Sequence, residues 1–569
     1  MLIRLFFAVF LIFSPEGPDK AEMLRPPLDI PLIPSANFGE PRTGHFHSGV
    51  DFKTGGKTGA KVYSVADGHI YRIMVSPSGF GKALYIRHNN GYSSVYAHLS
   101  RFSPSIAEYV KKKQYEKESF SLNLFPPAEM FSIKRGEVIA YTGNSGSSMG
   151  PHLHFEVRNS ANEKPLDPVQ FYDIEDSTKP VIKSVAVYPA GSSSTVNGTD
   201  NKFITAATGS NGTYGIRYNK SIRVSGPVGF GINTYDVFDK SWNKCGVRII
   251  NLMIDDRLIY SHSIDEFLFS ETRYINSHID YEEKIKNNSY IQKTFLDPNN
   301  KLSIYNHVIN NGIVNLDDGE KHNIEIGVSD FNGNYSSVKF SILADTASRN
   351  ESTGRKGQML PFSSKNEISR HDIDISFPAG CFYDTVYFKY RKAPPDDKGL
   401  LSDRHYIHEK YTPVHRNFEL SIKPESGIKK GLKSKLCLVY LNEEHDTKYY
   451  AGGEYDKGWV KGSVRNLGAY AVGIDTIKPE IRPLGIHDTS SGKRNSKLRF
   501  RIKDDFSGIS SYTGTINGEW ALFEYDAKSS SLLYIPDEEF LSRNSVHDLI
   551  LTVTDNCGNE TVKRLEFYW

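Results

Sequence analysis

Tyr141-Thr142-Gly143-Asn144-Ser145-Gly146-Ser147-Ser148-Met149-Gly150-Pro151-His152-Leu153-His154-Phe155-Glu156-Val157-Arg158 is a glycine-rich turn that runs into an alternating segment. Alternation of this kind predicts a strand, in which side chains two apart share a face. His152 and His154 therefore project into one space, while Leu153 and Phe155 turn the other way, toward a core. Two imidazoles side by side suggest metal or acid/base chemistry.

About a hundred residues upstream stands His47-Ser48-Gly49-Val50-Asp51, in a stretch that also reads as strand. Even spacing puts His47 and Asp51 on one face, and Gly49 between them leaves room for an ion. Tyr96-Ala97-His98-Leu99 closes a third apolar-alternating run. If these segments are neighbouring strands, His47, His98, His152, His154 and Asp51 converge on one groove. A hydrolytic zinc site takes three protein ligands and keeps one position for water. The other two side chains are then candidates for a general base and for a group that stabilises an oxyanion. A His-x-His alone in a strand is more often a satisfied surface pair; the company of the other two segments favours the metal reading.

The motifs His47-x-x-x-Asp51, Tyr96-x-His98-Leu99 and His152-Leu153-His154, with Gly143-Asn144-Ser145-Gly146 before the last, resemble the lysostaphin/LytM-type zinc endopeptidases that cut peptidoglycan cross-links. The resemblance covers residues 35–170. Asn37-Phe38-Gly39-Glu40-Pro41-Arg42 and Pro165-Leu166-Asp167-Pro168 resemble that family's edges. It implies one Zn2+ held by His47, Asp51 and His154, with His152 as general base and His98 orienting water and stabilising developing charge. Peptidoglycan stem peptides are the substrate it implies. The family also contains regulators that lost zinc ligands, but no ligand position is missing here. His45 has no Asp four residues on and is read as a rim residue.

The chain has 569 residues, too many for one core. Lys plus Arg (69) nearly balance Asp plus Glu (67), so nothing supports a nucleic-acid partner. Tyr (33) and Phe (32) far outnumber Met (7), a balance that favours sheet. The expected fold class is all-β, mainly antiparallel: a LytM-type peptidase domain followed by immunoglobulin-like β-sandwich modules.

Residues 1–22 hold Arg4 and the apolar run Leu5 to Phe13, which fits a secretory signal, with an uncleaved N-terminal anchor as the alternative. No Cys lies near this run, which excludes a lipid anchor. The protein is expected to be exported, to the periplasm or cell envelope. Residues 23–175 form the expected peptidase domain, interrupted by an insertion at 102–133. That insertion has a helical pattern over Ile106–Lys117 and a basic run, Lys111-Lys112-Lys113, read as a solvated face or a groove wall.

Two phrases then recur: Asp176-Ser177-Thr178-Lys179-Pro180 with Asp475-Thr476-Ile477-Lys478-Pro479, and Asp330-Phe331-Asn332-Gly333-Asn334 with Asp555-Asn556-Cys557-Gly558-Asn559. The first is a proline-stiffened entry to a strand, and the second resembles the last hairpin of immunoglobulin-like bacterial modules. They place such modules at 176–345 and 476–569, around a β-rich module at 346–475. These modules are expected to position the enzyme on the wall or on a protein partner. His408-Glu409 imitates the start of a zincin motif, but Thr412 stands where a second His is needed. Without Cys-x-x-Cys a zinc knuckle is disfavoured; Cys381 and Cys437 are a candidate disulfide, with Cys245 and Cys557 free. Two rival readings stand beside the enzyme: a silent or gated wall-binding regulator of other hydrolases, and a scaffold acting through its β array.

Overall fold

The computed structural model describes residues 24–346, 357–396, 399–486 and 494–569. The expected signal or anchor at 1–22 lies outside them. The fold is all-β and mainly antiparallel, built on four large hydrophobic clusters that follow one another along the chain. No helix among the described residues is long and apolar enough to cross a membrane.

The first cluster underlies a nine-stranded sheet whose centre carries the site. Strand His152–Asn159 lies between Val50–Lys53 and Tyr92–Leu99, antiparallel to both. Leu153, Phe155 and Val157 point into the core with Val50, Phe52 and Tyr96, all fully buried. The period-2 pattern thereby sends residues 152, 154, 156 and 158 to the opposite face. Strand Val50–Lys53 carries Asp51, while His47 lies in the connection between the short strand His45–Phe46 and Val50, so the strand reading of this stretch holds from Val50 onward. Gly49 also does something other than leave room for an ion. A Cβ there would meet the Phe155 carbonyl oxygen at 2.3 Å and Glu156 Cγ at 2.8 Å, so this glycine lets the turn lie against the central strand.

The insertion forms helix Pro104–Glu116, opened by Pro at its first position and burying Ile106 and Val110. After the sheet, Asp167 caps a short 3-10 turn, Pro168–Phe171, by accepting the Val169 N–H at 3.0 Å. Burial pushes its carboxyl up to about 7. A folded-state value above the unfolded one means that this group favours folding at low pH and that the contribution is lost as pH rises from about 4 through 7. Asp167→Asn, which keeps the acceptor and removes the charge, should flatten the fall in the peptidase domain's melting midpoint between pH 5 and 8. An unchanged pH slope would contradict this.

The second cluster is wrapped by a thirteen-stranded sheet system over Val181–Ala344. The third is enclosed by two five-stranded sheets and the last by two four-stranded sheets. His408 and Glu409 lie in a turn after strand Arg404–Ile407, with Glu409 paired to Lys389, so no zincin helix exists there. All four cysteines are free. Cys381 does not pair with Cys437: its thiol donates to the Arg416 carbonyl at 3.4 Å, whereas Cys437 packs against Cys557 from the last module.

That last module folds back onto the peptidase domain. Lys111 on the insertion helix pairs with Asp537 (2.5 Å) and Glu539 (2.8 Å), and Tyr115 stacks on Phe540 at 4.0 Å. Lys82 pairs with Glu524 at 3.0 Å. Lys528 donates to the carbonyls of Asn144 and Ser148, the latter at 3.1 Å. The basic run is therefore neither a plain solvated face nor an open groove wall at Lys111.

Candidate active site

Cross-strand register sets His154 directly opposite Asp51 on one side and Ala97 on the other. His154 Nδ1 lies 2.9 Å from Asp51 Oδ1 and 3.0 Å from His47 Nε2, and His47 Nε2 lies 3.1 Å from the same carboxylate oxygen. Three donor atoms from three segments thus meet at a point, and all three residues are buried.

Each outer atom of this group is anchored. His47 Nδ1 donates to the Asn37 carbonyl at 2.7 Å. Asn37 is held in turn by both amide contacts to Gly246 of the next module, 2.7 and 2.9 Å long. Asp51 Oδ2 accepts from Arg42 at 3.0 Å, which leaves Oδ1 to the histidines. His154 Nε2 donates to Glu156 Oε1 at 3.0 Å, and fully buried Glu156 also accepts from Ser48 and from Arg158. Burial opposes charge on His154, but its bonds to Asp51 and Glu156 outweigh that and push its pKa up to about 9. Burial pushes His47 down to about 4. The two carboxylates demand positive charge between them, and the inward-facing ring nitrogens can supply lone pairs to a cation. The donor set of two imidazoles and one carboxylate fits zinc, with the second nitrogens held by a carbonyl and a carboxylate as such ligands require.

His98 and His152 lie on the open side, with ring centroids 4.8 Å apart. His98 Nδ1 donates to the Ser145 carbonyl at 2.9 Å, and His152 Nδ1 to the Gly150 carbonyl at 2.8 Å. These bonds put the proton of each ring on Nδ1 and turn Nε2 to the site, where His152 Nε2 stands 3.5 Å from Asp51 Oδ1. Burial, reinforced by His154 and His152, holds His98 down to about 3. His98 has φ 59°, a left-handed conformation unusual for a histidine and the sort of strain found at functional sites. The Gly143–Gly146 loop reaches it because Gly146 (φ +69°) packs backbone to backbone on the Gly79–Gly81 turn, where a Cβ would meet Gly79 O and Gly81 N at 2.4 Å. Phe80 of that turn covers His154 at 5.0 Å.

All five predicted residues are therefore within one site, and His45 is exposed outside it, bonded to the Thr43 carbonyl. Sequence reasoning gave no role to Glu156, Arg158, Ser48 and Phe80, and saw Asn37 and Arg42 only as part of a family-like edge. The first two were signalled by the same alternation that picked out His152 and His154.

The sheet and the motifs it carries are those of a LytM-type peptidase domain. The family model for Peptidase family M23 matches residues 45–115 and 128–168, and the chain carries a domain of that family. A Zu5-like domain model matches residues 357–475, within the β-rich middle module. The DD-carboxypeptidase/endopeptidase Mpg of Neisseria meningitidis is 33% identical over 127 residues, 22% of this chain and 23% of that protein. Peptidoglycan DD-endopeptidase ShyB of Vibrio cholerae is 35% identical over 124 residues, 22% of each chain. The chain thus spans under a quarter of the length of these curated relatives. A crystal structure of a zinc-containing peptidase from Vibrio cholerae is 32% identical, covering 22% of this chain and 29% of that one, with a TM-score of 0.15.

Proposed function

We propose that the protein is an exported zinc-dependent endopeptidase that hydrolyses peptide cross-links of bacterial peptidoglycan, acting in the periplasm or cell envelope. The observation that carries this reading is the meeting of His47 Nε2, Asp51 Oδ1 and His154 Nδ1 within 3.1 Å of one another, beside the rings of His98 and His152. When bound, zinc supplies Lewis-acid polarisation of a carbonyl and lowers the pKa of water toward neutrality. His152, its Nδ1–H given to Gly150, presents the Nε2 lone pair as general base. His98 is oriented the same way, so as a neutral ring it accepts from water, and it donates to an oxyanion only after taking up a proton. Asn37 and Glu156 keep the ligand histidines in their productive tautomers. Phe80 covers the His154 ring and limits water access.

The test is muropeptide profiling of purified sacculi incubated with the full chain and with its His154→Ala variant. Cross-linked dimers should fall and monomers rise only with the unmodified protein. No change, with zinc bound one to one, would sink the endopeptidase reading in its ungated form.

A second reading has an observation of its own. The last module grips both the insertion helix and the loop whose Ser145 carbonyl holds His98, which supports a gated enzyme or a wall-binding regulator. Lys111→Glu combined with Lys528→Glu should raise the dimer-to-monomer rate if the contact restrains the site. An unchanged rate favours the reading in which the immunoglobulin-like modules and the middle module serve only to position the enzyme on the wall or a protein partner.

A further inference from the structure

The seam between the peptidase domain and the next module contains a second place where carboxylates converge. Asp176 belongs to the connecting segment, Asp236 follows strand Pro227–Tyr235, and Asp330 follows strand Lys321–Ser329. One oxygen from each lies within 4.8 Å of the other two. Asp236 is 1% exposed and Asp330 2% exposed. Among the described residues no Lys, Arg or His forms an ion pair with any of the three.

Two buried carboxylates and a half-buried one without a counter-charge are expensive, and two of their oxygens are orphaned. Asp236 Oδ1 and Asp176 Oδ2 are buried with no hydrogen-bond partner. The remaining oxygens are oriented by the backbone. Asp176 Oδ1 accepts from Thr178 and Asp239 N–H, and Asp330 accepts from the Asn334 N–H and side-chain amide. The same Asn334 amide reaches the Asp176 carbonyl at 3.0 Å, so connecting segment and hairpin are already tied together. Asp239 accepts from Ser177 and Thr178 and also lies against the Asp176 carboxyl, a fourth acid at the edge of the group that adds to its need for a cation.

The chain contains an internal control. Asp475, Asp504 and Asp555 repeat the arrangement, and Asn559 repeats Asn334, reaching the Asp475 carbonyl at 3.0 Å and Asp555 Oδ2 at 2.7 Å. There, however, Asp504 Oδ2 takes the N–H groups of Phe506 and Gly508, Asp475 Oδ2 takes that of Ser507, and no buried oxygen is left orphaned. The second cluster meets its needs with amides; the first does not.

We propose that Asp176, Asp236 and Asp330 bind one hard divalent cation of the calcium class, which pins the connecting segment to the first module. An all-oxygen carboxylate donor set is what calcium prefers, whereas zinc favours nitrogen and sulfur. The site is independent of the peptidase reading. It also lies close along the chain to the catalytic support: Asp236 pairs backbone to backbone with Cys245, and the next residue, Gly246, holds Asn37 behind His47.

The test is equilibrium dialysis of the EDTA-stripped full chain against calcium chloride, with Asp236→Asn, Asp504→Asn and His154→Ala variants alongside. One bound calcium is expected for the parent, Asp504→Asn and His154→Ala proteins, and at least tenfold weaker binding for Asp236→Asn. Thermal melting supplies a second readout. In EDTA the Asp236→Asn protein should melt no lower than the parent, because it has lost a repulsive charge, while calcium should raise the melting midpoints of the parent, Asp504→Asn and His154→Ala proteins and leave that of Asp236→Asn unchanged. If Asp236→Asn does not fold, Asp176→Asn takes its place. Absence of bound calcium in the parent, equal binding by the Asp236→Asn protein, or loss on Asp504→Asn instead would each overturn the assignment.

Discussion

His154→Ala should abolish both zinc binding and hydrolysis, whereas His152→Ala should keep stoichiometric zinc and lose turnover by roughly 10²–10⁴-fold, the usual worth of a positioned general base. The difference follows from which nitrogens face where. His154 offers Nδ1 to the point where Asp51 Oδ1 and His47 Nε2 also meet, and its removal deletes a ligand. His152 is anchored through Nδ1 on the Gly150 carbonyl and stands to one side, so its removal leaves the ligand set intact. The measurement is metal content by mass spectrometry on both variants beside a turnover assay on sacculi. Equal zinc retention in the two would refute the division of roles.

Glu156→Gln carries the second large effect. Glu156 is fully buried, and three groups depend on it: His154 Nε2, Ser48 Oγ and the Arg158 guanidinium, whose Nη2 lies 2.5 Å away. Arg158 holds the Glu156 carboxyl down to about 2, against the opposing pull of burial. Glutamine keeps the shape but leaves Arg158 as a buried charge with only Glu163, 3.5 Å away, to balance it. Breaking a buried pair in this way costs about 3–5 kcal/mol. Loss of the carboxylate that orients a ligand histidine costs about 10–100-fold in metal affinity. We therefore expect a lower melting midpoint of the peptidase domain together with weaker zinc retention in a chelator competition. A variant that melted lower yet held zinc as tightly as the parent would show Glu156 to be a packing residue only.

His152 and His154 were legible in the sequence because a strand obeys a period of two and so gives them a shared face without any knowledge of the fold, whereas His47 and Asp51 were legible only as a motif, since His47 precedes the strand that carries Asp51. The same rule extends to Glu156 and Arg158, but an acid and a base on a strand read equally well as a solvated pair. What makes them buried is Ser48 and the close approach that Gly49 allows. Asn37 was visible only as part of a family-like edge; its grip on His47 depends on Gly246, 209 residues away. Long-range contacts leave no local pattern. That is also why Lys111 read as a solvated residue while its partners, Asp537 and Glu539, lay more than 400 positions downstream. The unexpected neighbour of Cys437 has the same cause: strand alternation shows that a thiol is inward, never which module lies beyond the seam.

The ion pair between Lys82 and Glu524 joins residues 442 positions apart. Synthesis runs from the N-terminus, so the peptidase sheet can pair its strands long before the segment that clasps it exists. Closing so long a loop costs little more entropy than closing a short one, since the penalty grows only logarithmically, but such distant contacts form slowly. The clasp is therefore a kinetic event separate from the folding of the sheet, and a nascent chain passes through an interval in which the loop beside His98 is unclasped.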